Sequence, residues 1–210
     1  LTTAMQMVAT GACDYALAVG ADVMSSIIDY TARATCVLFG DGAGAAVLSP
    51  AEPGEPCFID FLTEIDGAMG AALCMPAGGS RMPASHDTVD QRMHFVKQDG
   101  QTVFKFAVRK TGEIASRLLE QCGVDPSEVD LFVSHQANRR IITAAAERLG
   151  FDSDKVMINL EMYGNTTAGT IPLALADARA QGRLKKGDLV LLASVGAGFT
   201  VGSVLLRWSL

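Results

Sequence analysis

Val129-Asp130-Leu131-Phe132-Val133-Ser134-His135-Gln136-Ala137-Asn138-Arg139-Arg140-Ile141-Ile142 decides the fold class. The apolar run Leu131 to Val133, announced by the turn signal Asp125-Pro126, reads as a short buried strand over 129–133. Beyond it Ile141, Ile142, Ala145 and Leu149 recur at helical spacing, with Arg139, Arg140, Glu147 and Arg148 between them. Residues 138–149 therefore read as an amphipathic helix stopped by Gly150. Strand, polar island and helix in that order imply a layered α/β protein, whose ligand crevices open at the carboxyl ends of its strands. His135 stands at such an edge.

A second polar island, Gly164-Asn165-Thr166-Thr167-Ala168-Gly169-Thr170, follows the apolar run 156–160. It leads into a helix over 171–181, with Pro172 tolerated in the first turn and Gly182 past the end. An asparagine beside glycine commonly bonds only its own backbone, and a single histidine at a strand end is commonly structural. Together they carry a different meaning. A neutral imidazole and a primary amide over one pocket are the two donors that stabilise a thioester enolate, by the logic of an oxyanion hole.

Working outward, two segments look alike: 35–39, 42–44 and 45–48, then 191–195, 196–198 and 201–206. Each reads strand, glycine turn, strand, which suggests duplicated halves. Gly40-Asp41-Gly42-Ala43-Gly44 lacks the spacing and the following helix of a dinucleotide fingerprint. The uncharged stretch 189–206 is near the lower limit for a membrane span, but Gly196, Gly198 and Gly202 fit two buried strands and a tight turn instead. Between the halves, Pro53, Pro56, Pro76, Pro83 and Gly78-Gly79-Ser80 break any long element, so 50–99 reads as a loop-rich connection.

His135-Gln136-Ala137-Asn138 and Gly164-Asn165-Thr166 resemble the motifs of the β-ketoacyl-[acyl-carrier-protein] synthase III family, condensing enzymes of the thiolase fold. Asp29 to Thr35, Phe39 to Val47 and Gly196 to Ser203 resemble it too, so the likeness runs end to end. The resemblance implies a thiolase-like α/β fold, layered α-β-α with duplicated halves. Its parts would be the remainder of an N-terminal half over 1–49, the connection over 50–99 and a C-terminal half over 100–210.

The family's nucleophilic cysteine falls upstream of the segment matching Leu1, so the chain reads as a member lacking its N-terminal part, with the first half truncated. Cys13, Cys36, Cys57, Cys74 and Cys122 are expected to be buried, inert thiols.

What the resemblance implies for function is decarboxylative condensation of a short acyl-CoA with malonyl-[acyl-carrier protein], initiating fatty acid synthesis. His135 and Asn165 would stabilise the malonyl-derived enolate, and the Ala197 backbone amide would serve an oxyanion hole. Arg33 and Asn138 would hold coenzyme A. Gln136, Ala137, Asn138, Arg139, Arg140 and Lys105 would meet the carrier protein. Acyl-CoA is a substrate and no cofactor is implied; a homodimer, an acyl carrier protein and a missing N-terminal fragment are the implied partners. A relative acting in polyketide or quinolone synthesis, and a non-catalytic fragment binding coenzyme A or carrier protein, are the alternatives. A thiolase proper would need a late cysteine, and none follows Cys122.

Composition bounds the rest. A net charge of −6 disfavours nucleic acid as a partner. Five cysteines without paired spacing point to a reducing, cytoplasmic setting, and the three scattered histidines give no metal-ligand spacing, so no metal is expected. Arg139, Arg140 and Arg148, with Lys105, Arg109 and Lys110, face only Glu113 and Glu147 nearby in sequence. They read either as two solvated helix faces or as a basic rim for an acidic carrier protein.

Overall fold

The computed structural model describes residues 1–52, 54 and 57–210, so the breaks assigned to Pro53 and Pro56 lie outside the described residues. In chain order the elements are α1 (Thr2–Ala9), β1 (Ala16–Asp22), β2 (Gly42–Leu48), β3 (Phe58–Ile65), β4 (Leu73–Cys74), α2 (His86–Asp90) and β5 (Lys97–Gln98). There follow α3 (Gly100–Cys122), β6 (Leu131–Ser134), α4 (Arg139–Leu149), α5 (Leu160–Tyr163), α6 (Thr170–Ala180), β7 (Leu189–Gly196) and β8 (Thr200–Arg207).

One four-stranded sheet, in the order β3-β8-β7-β6, carries the core. Strand β6 runs parallel to β7, while β7 with β8 and β8 with β3 are antiparallel. Strands β6 and β7 are apolar along most of their length because both faces of this sheet are covered. On one face Ala115, Leu118 and Leu119 of α3 and Ile142, Ala145 and Leu149 of α4 pack on Phe132, Leu191 and Leu205. On the other, Ala174 and Ala178 of α6 pack on Leu131, Val133, Val190 and Leu192.

Helix α6 has a second neighbour behind it, the antiparallel ribbon β1–β2, in which Gly20 lies opposite Gly44. A Cβ on Gly44 would stand 2.6 Å from Cβ of Pro172, and one on Gly20 would overlap the Ala168 carbonyl. Missing side chains are what let the ribbon close on the helix. The result is sheet, helix and ribbon in layers, with the loop that precedes α6 caught between the two strand systems.

Helix ends follow ordinary chemistry. The Asp99 carboxylate accepts the backbone N–H groups of Gln101 and Thr102 to start α3, and Gly123 at φ 65° ends it. Asn138 caps α4 through the Arg140 N–H, and Gly150 at φ 72° ends it.

Two expectations are corrected. Residues 35–38 form turns rather than a strand, and Gly42 and Gly44 lie inside β2 rather than in a turn before it. Strand–glycine turn–strand therefore holds for β7–β8 alone. The stretch 50–99 is not merely a connection, because β3 adds an edge to the main sheet; its aromatic and β-branched run outweighs the prolines around it. The apolar run 156–160 supplies no strand: Val156 makes an isolated bridge to Phe132, and α5 begins at Leu160. Among the described residues no helix is long and apolar enough to cross a membrane. No group of three or more His, Cys, Asp or Glu side chains converges on a point among them.

Candidate active site

His135 leaves the end of β6 with its backbone N–H bonded to the Ala193 carbonyl at 2.8 Å, which fixes it to the neighbouring strand. Its ring lines a cavity of about 790 Å³ and places Nδ1 2.6 Å from the Thr170 hydroxyl. Burial alone pushes the imidazole pKa down to about 4, so the ring is neutral at pH 7.

That shift has a sign that an unfolding experiment reads. An unfolded chain binds the proton near pH 6.5 and the folded chain only near 4, so stability falls as pH drops through that window. The loss reaches about 3 kcal/mol at its lower end. Urea unfolding at pH 7 and pH 4.5 is expected to show it, with His135→Asn losing much of the difference.

Asn165 reaches the same cavity from the other strand system. Its backbone N–H donates to the Leu38 carbonyl at 3.0 Å and its own carbonyl accepts the Gly40 N–H at 3.0 Å. The side-chain Oδ1 accepts the Thr167 N–H at 2.9 Å, which turns Nδ2 away as a free donor. Thr167 has φ 49° without being glycine; Asp22 at the end of β1 holds it, accepting the Thr167 hydroxyl and, at 3.1 Å, the Ala168 N–H. None of these partners is near Asn165 in sequence apart from Thr167 and Ala168, and no spacing rule would have found Leu38, Gly40 or Asp22.

Much of the wall is apolar, with Met24, Ile27, Val96, Phe104 and Phe199 prominent; Gln98, Gln101, Asn138 and Arg140 also line it, and Gly196 and Ala197 close it at the β7–β8 turn. Ala197 is exposed at this turn, and the following Gly198–Phe199 peptide is cis. A neutral imidazole and an amide at a largely apolar wall suit a reaction in which negative charge appears on a carbonyl oxygen.

A model of 3-oxoacyl-[acyl-carrier-protein] synthase III matches residues 1–67, and a second, for the C-terminal part of the same enzyme, matches 119–208. The chain belongs to the 3-oxoacyl-[acyl-carrier-protein] synthase III family. It is 58% identical over 211 residues to the β-ketoacyl-[acyl-carrier-protein] synthase III of Solibacter usitatus, covering 100% of this chain and 64% of that relative. To the enzyme of that name from Koribacter versatilis it is 54% identical over 210 residues, covering 100% of this chain and 63% of the relative. The crystal structure of a β-ketoacyl-[acyl-carrier-protein] synthase III from Thermus thermophilus superposes with a TM-score of 0.88 at 40% identity, over 99% of this chain and 63% of that one.

The chain thus spans less than two thirds of the length of these synthase III relatives. The expectation of a member lacking its N-terminal part, with a truncated first half, is nevertheless corrected. The family's own model is met from residue 1 onward, and both of its regions are represented here. The thiolase-like α/β fold with two related αβα halves stands.

Among the residues expected to serve this family's chemistry, His135, Ala137, Asn138, Arg140, Asn165 and Ala197 all line the one cavity. Arg33 does not; it sits exposed on a turn outside the lining. Gln136 is removed from the carrier-protein set, because it is 1% exposed. Its Nε2 donates to the Ser134 and Met157 carbonyls at 2.8 and 3.1 Å, and its Oε1 accepts the Asn159 N–H at 3.1 Å, a buried brace behind His135.

The basic rim is also smaller than expected. Arg139 pairs with Glu161, and Lys110 pairs with Glu64 at 3.1 Å and Glu113 at 2.6 Å. Arg140 stacks over Phe104 at 4.9 Å from the ring centroid, with Lys105 and Arg109 exposed on the adjoining helix.

The cysteines are half-buried rather than sealed in apolar runs. Cys74 lines the cavity. Cys122, within the second matched region, ends α3 roughly 16 Å along the helix axis beyond the cavity-lining Thr111 at about 1.5 Å per residue. Burial first and Asp60 second raise its thiol pKa, which favours the protonated form there.

Proposed function

We propose that the whole protein condenses a short acyl-CoA with malonyl-[acyl-carrier protein] by decarboxylation, starting fatty acid chains. The observation that carries this reading is the convergence of a neutral imidazole, His135, and a primary amide, Asn165, on one largely apolar cavity. The bond between malonyl C2 and its carboxylate breaks, carbon dioxide leaves, and the electron pair passes into the thioester as an enolate. Both donors bond the enolate oxygen, where charge develops. The C2 carbon then attacks the acyl thioester carbonyl and expels its thiolate, leaving a 3-oxoacyl thioester. The Ala197 backbone amide serves the oxyanion of this second step.

Asn138, which lines the cavity, would hold the pantetheine-bearing substrate, and Arg33 would reach it only at the outer end of coenzyme A. Arg140, with Lys105, presents charge complementary to an acidic carrier protein. A homodimer acting in the cytoplasm completes the reading.

The test is to incubate the whole protein with a short acyl-CoA and malonyl-carrier protein and to weigh the carrier protein by intact mass spectrometry. A carrier bearing the 3-oxoacyl group is the expected product. Hydrolysed or unchanged carrier alone would overturn the reading. Peptide mapping after acyl-CoA labelling assigns the cysteine that carries the acyl group.

The surface is tested separately. Lys105→Glu is expected to raise KM for malonyl-carrier protein roughly threefold to tenfold, less so at high salt, while malonyl-CoA is used as before. Equal loss with both substrates would place the effect in the fold rather than in carrier docking.

A further inference from the structure

Thr170 is the first residue of α6 and 3% exposed, and its hydroxyl is the hydrogen-bond partner of the His135 ring among the described residues. A neutral imidazole carries one N–H, and which nitrogen holds it decides what the ring offers the cavity. With the proton on Nε2 the ring is a donor there. With the proton on Nδ1 the cavity faces a bare nitrogen, a base.

The Thr170 hydroxyl has two acceptors in reach, Nδ1 of His135 at 2.6 Å and the Thr167 carbonyl at 3.0 Å. That carbonyl already accepts the Thr170 backbone N–H, and the hydroxyl lies 0.4 Å closer to Nδ1 than to it. Among the described residues Nδ1 has no other donor, and an imidazole nitrogen is the stronger base of the two. We infer that Thr170 donates its proton to Nδ1 and so holds His135 in the Nε2–H tautomer, making Thr170 the positioning residue that turns the histidine into an oxyanion donor rather than a general base. The inference rests on the proposed function for its consequence, but the tautomer itself does not.

Thr167 is the hinge of this arrangement. Its N–H orients the Asn165 amide, its carbonyl receives Thr170, and its hydroxyl is held by Asp22 from the ribbon. One tethered peptide thereby sets both donors, which come from segments 30 residues apart in sequence.

The experiment is ¹⁵N NMR of the whole protein labelled at histidine, tractable because the chain has three histidines, with His135 identified by the signals lost in His135→Gln. A protonated ring nitrogen at Nε2 and a bare one at Nδ1 are expected in the wild type and in Thr170→Ser. Thr170→Val, which keeps the shape and removes the hydroxyl, is expected to shift the ring toward Nδ1–H. It should lower kcat for malonyl decarboxylation roughly tenfold or more at unchanged KM, in the direction that tautomer errors take in other enzymes. The acidic limb of its pH profile should also move upward, because the lost bond had favoured the neutral ring.

A wild-type ring protonated at Nδ1 overturns the inference, as does Thr170→Val with wild-type tautomer and kcat. Should Thr170→Val fail to fold, the wild-type and Thr170→Ser spectra still decide it. A wild-type Nε2–H ring in a protein that releases no carbon dioxide from malonyl thioesters would sink the proposed function and leave this assignment standing.

Discussion

His135→Ala is expected to slow carbon dioxide release from a malonyl thioester by roughly a hundredfold or more, the usual consequence of losing one donor to a developing oxyanion. In the proposed reaction the enolate oxygen would carry most of the charge created when the carboxylate departs, and the His135 and Asn165 N–H groups would meet it in a largely apolar cavity. Because the ring is neutral at pH 7, the effect is the loss of a hydrogen bond and dipole rather than of a cation. Asn165→Ala should cost a similar factor.

The double variant separates this role from others. Two donors to one oxygen act as a unit, so the combined loss should fall well short of the product of the single losses. Radiometric release of carbon dioxide from malonyl-carrier protein measures it, with circular dichroism showing that the fold survives. Unchanged release in His135→Ala would remove the histidine from the chemistry, and fully multiplicative losses would mean that the two side chains serve different steps.

Much of this site was legible before the structure because its elements announce themselves locally. Apolar Leu131 to Val133 and the helical spacing after Asn138 place His135 at a strand end, and the Gly- and Thr-rich island places Asn165 before a helix. Strands β7 and β8 were legible for the same reason, as buried on both faces. What stayed hidden was non-local. Strand β1 and the start of β2 are written in alanine and glycine, which carry little strand signal, because their inner face must admit Pro172 and Ala168 rather than bury side chains of its own.

Gln136 was misplaced on the surface since nothing in a glutamine's neighbourhood in sequence reveals three backbone partners, two of them at Met157 and Asn159. Lys110 looked free because Glu64, its second partner, lies on β3. Asp29 and Arg92 likewise form a bidentate pair across distant segments, at 2.5 and 3.0 Å, and hold the two loops whose Ile27 and Val96 line the cavity. Sequence periodicity reports which way a residue faces, not which distant group it meets.

Gly20→Ala is expected to be among the most damaging single-methyl changes in the chain, costing about 3 kcal/mol or more. The added carbon would overlap the backbone carbonyl of Ala168, which is a fixed obstacle in a way that a flexible side chain is not. Relief by moving Ala168 is resisted by its N–H bond to Asp22 and by Gly169, whose own Cβ position stands 3.1 Å from the Gly42 carbonyl. The ribbon and α6 must therefore part. That separation pulls on the peptide of Thr167, which orients Asn165 and receives Thr170, so activity should fall along with stability. Gly67→Ala is the control, because no atom lies within 4 Å of its added carbon, and it should stay within about 0.5 kcal/mol of wild type. Urea midpoints of the two variants, read beside their rates of malonyl decarboxylation, test the argument. A Gly20→Ala protein as stable and as active as Gly67→Ala would mean that the ribbon does not set the geometry of the Asn165 loop.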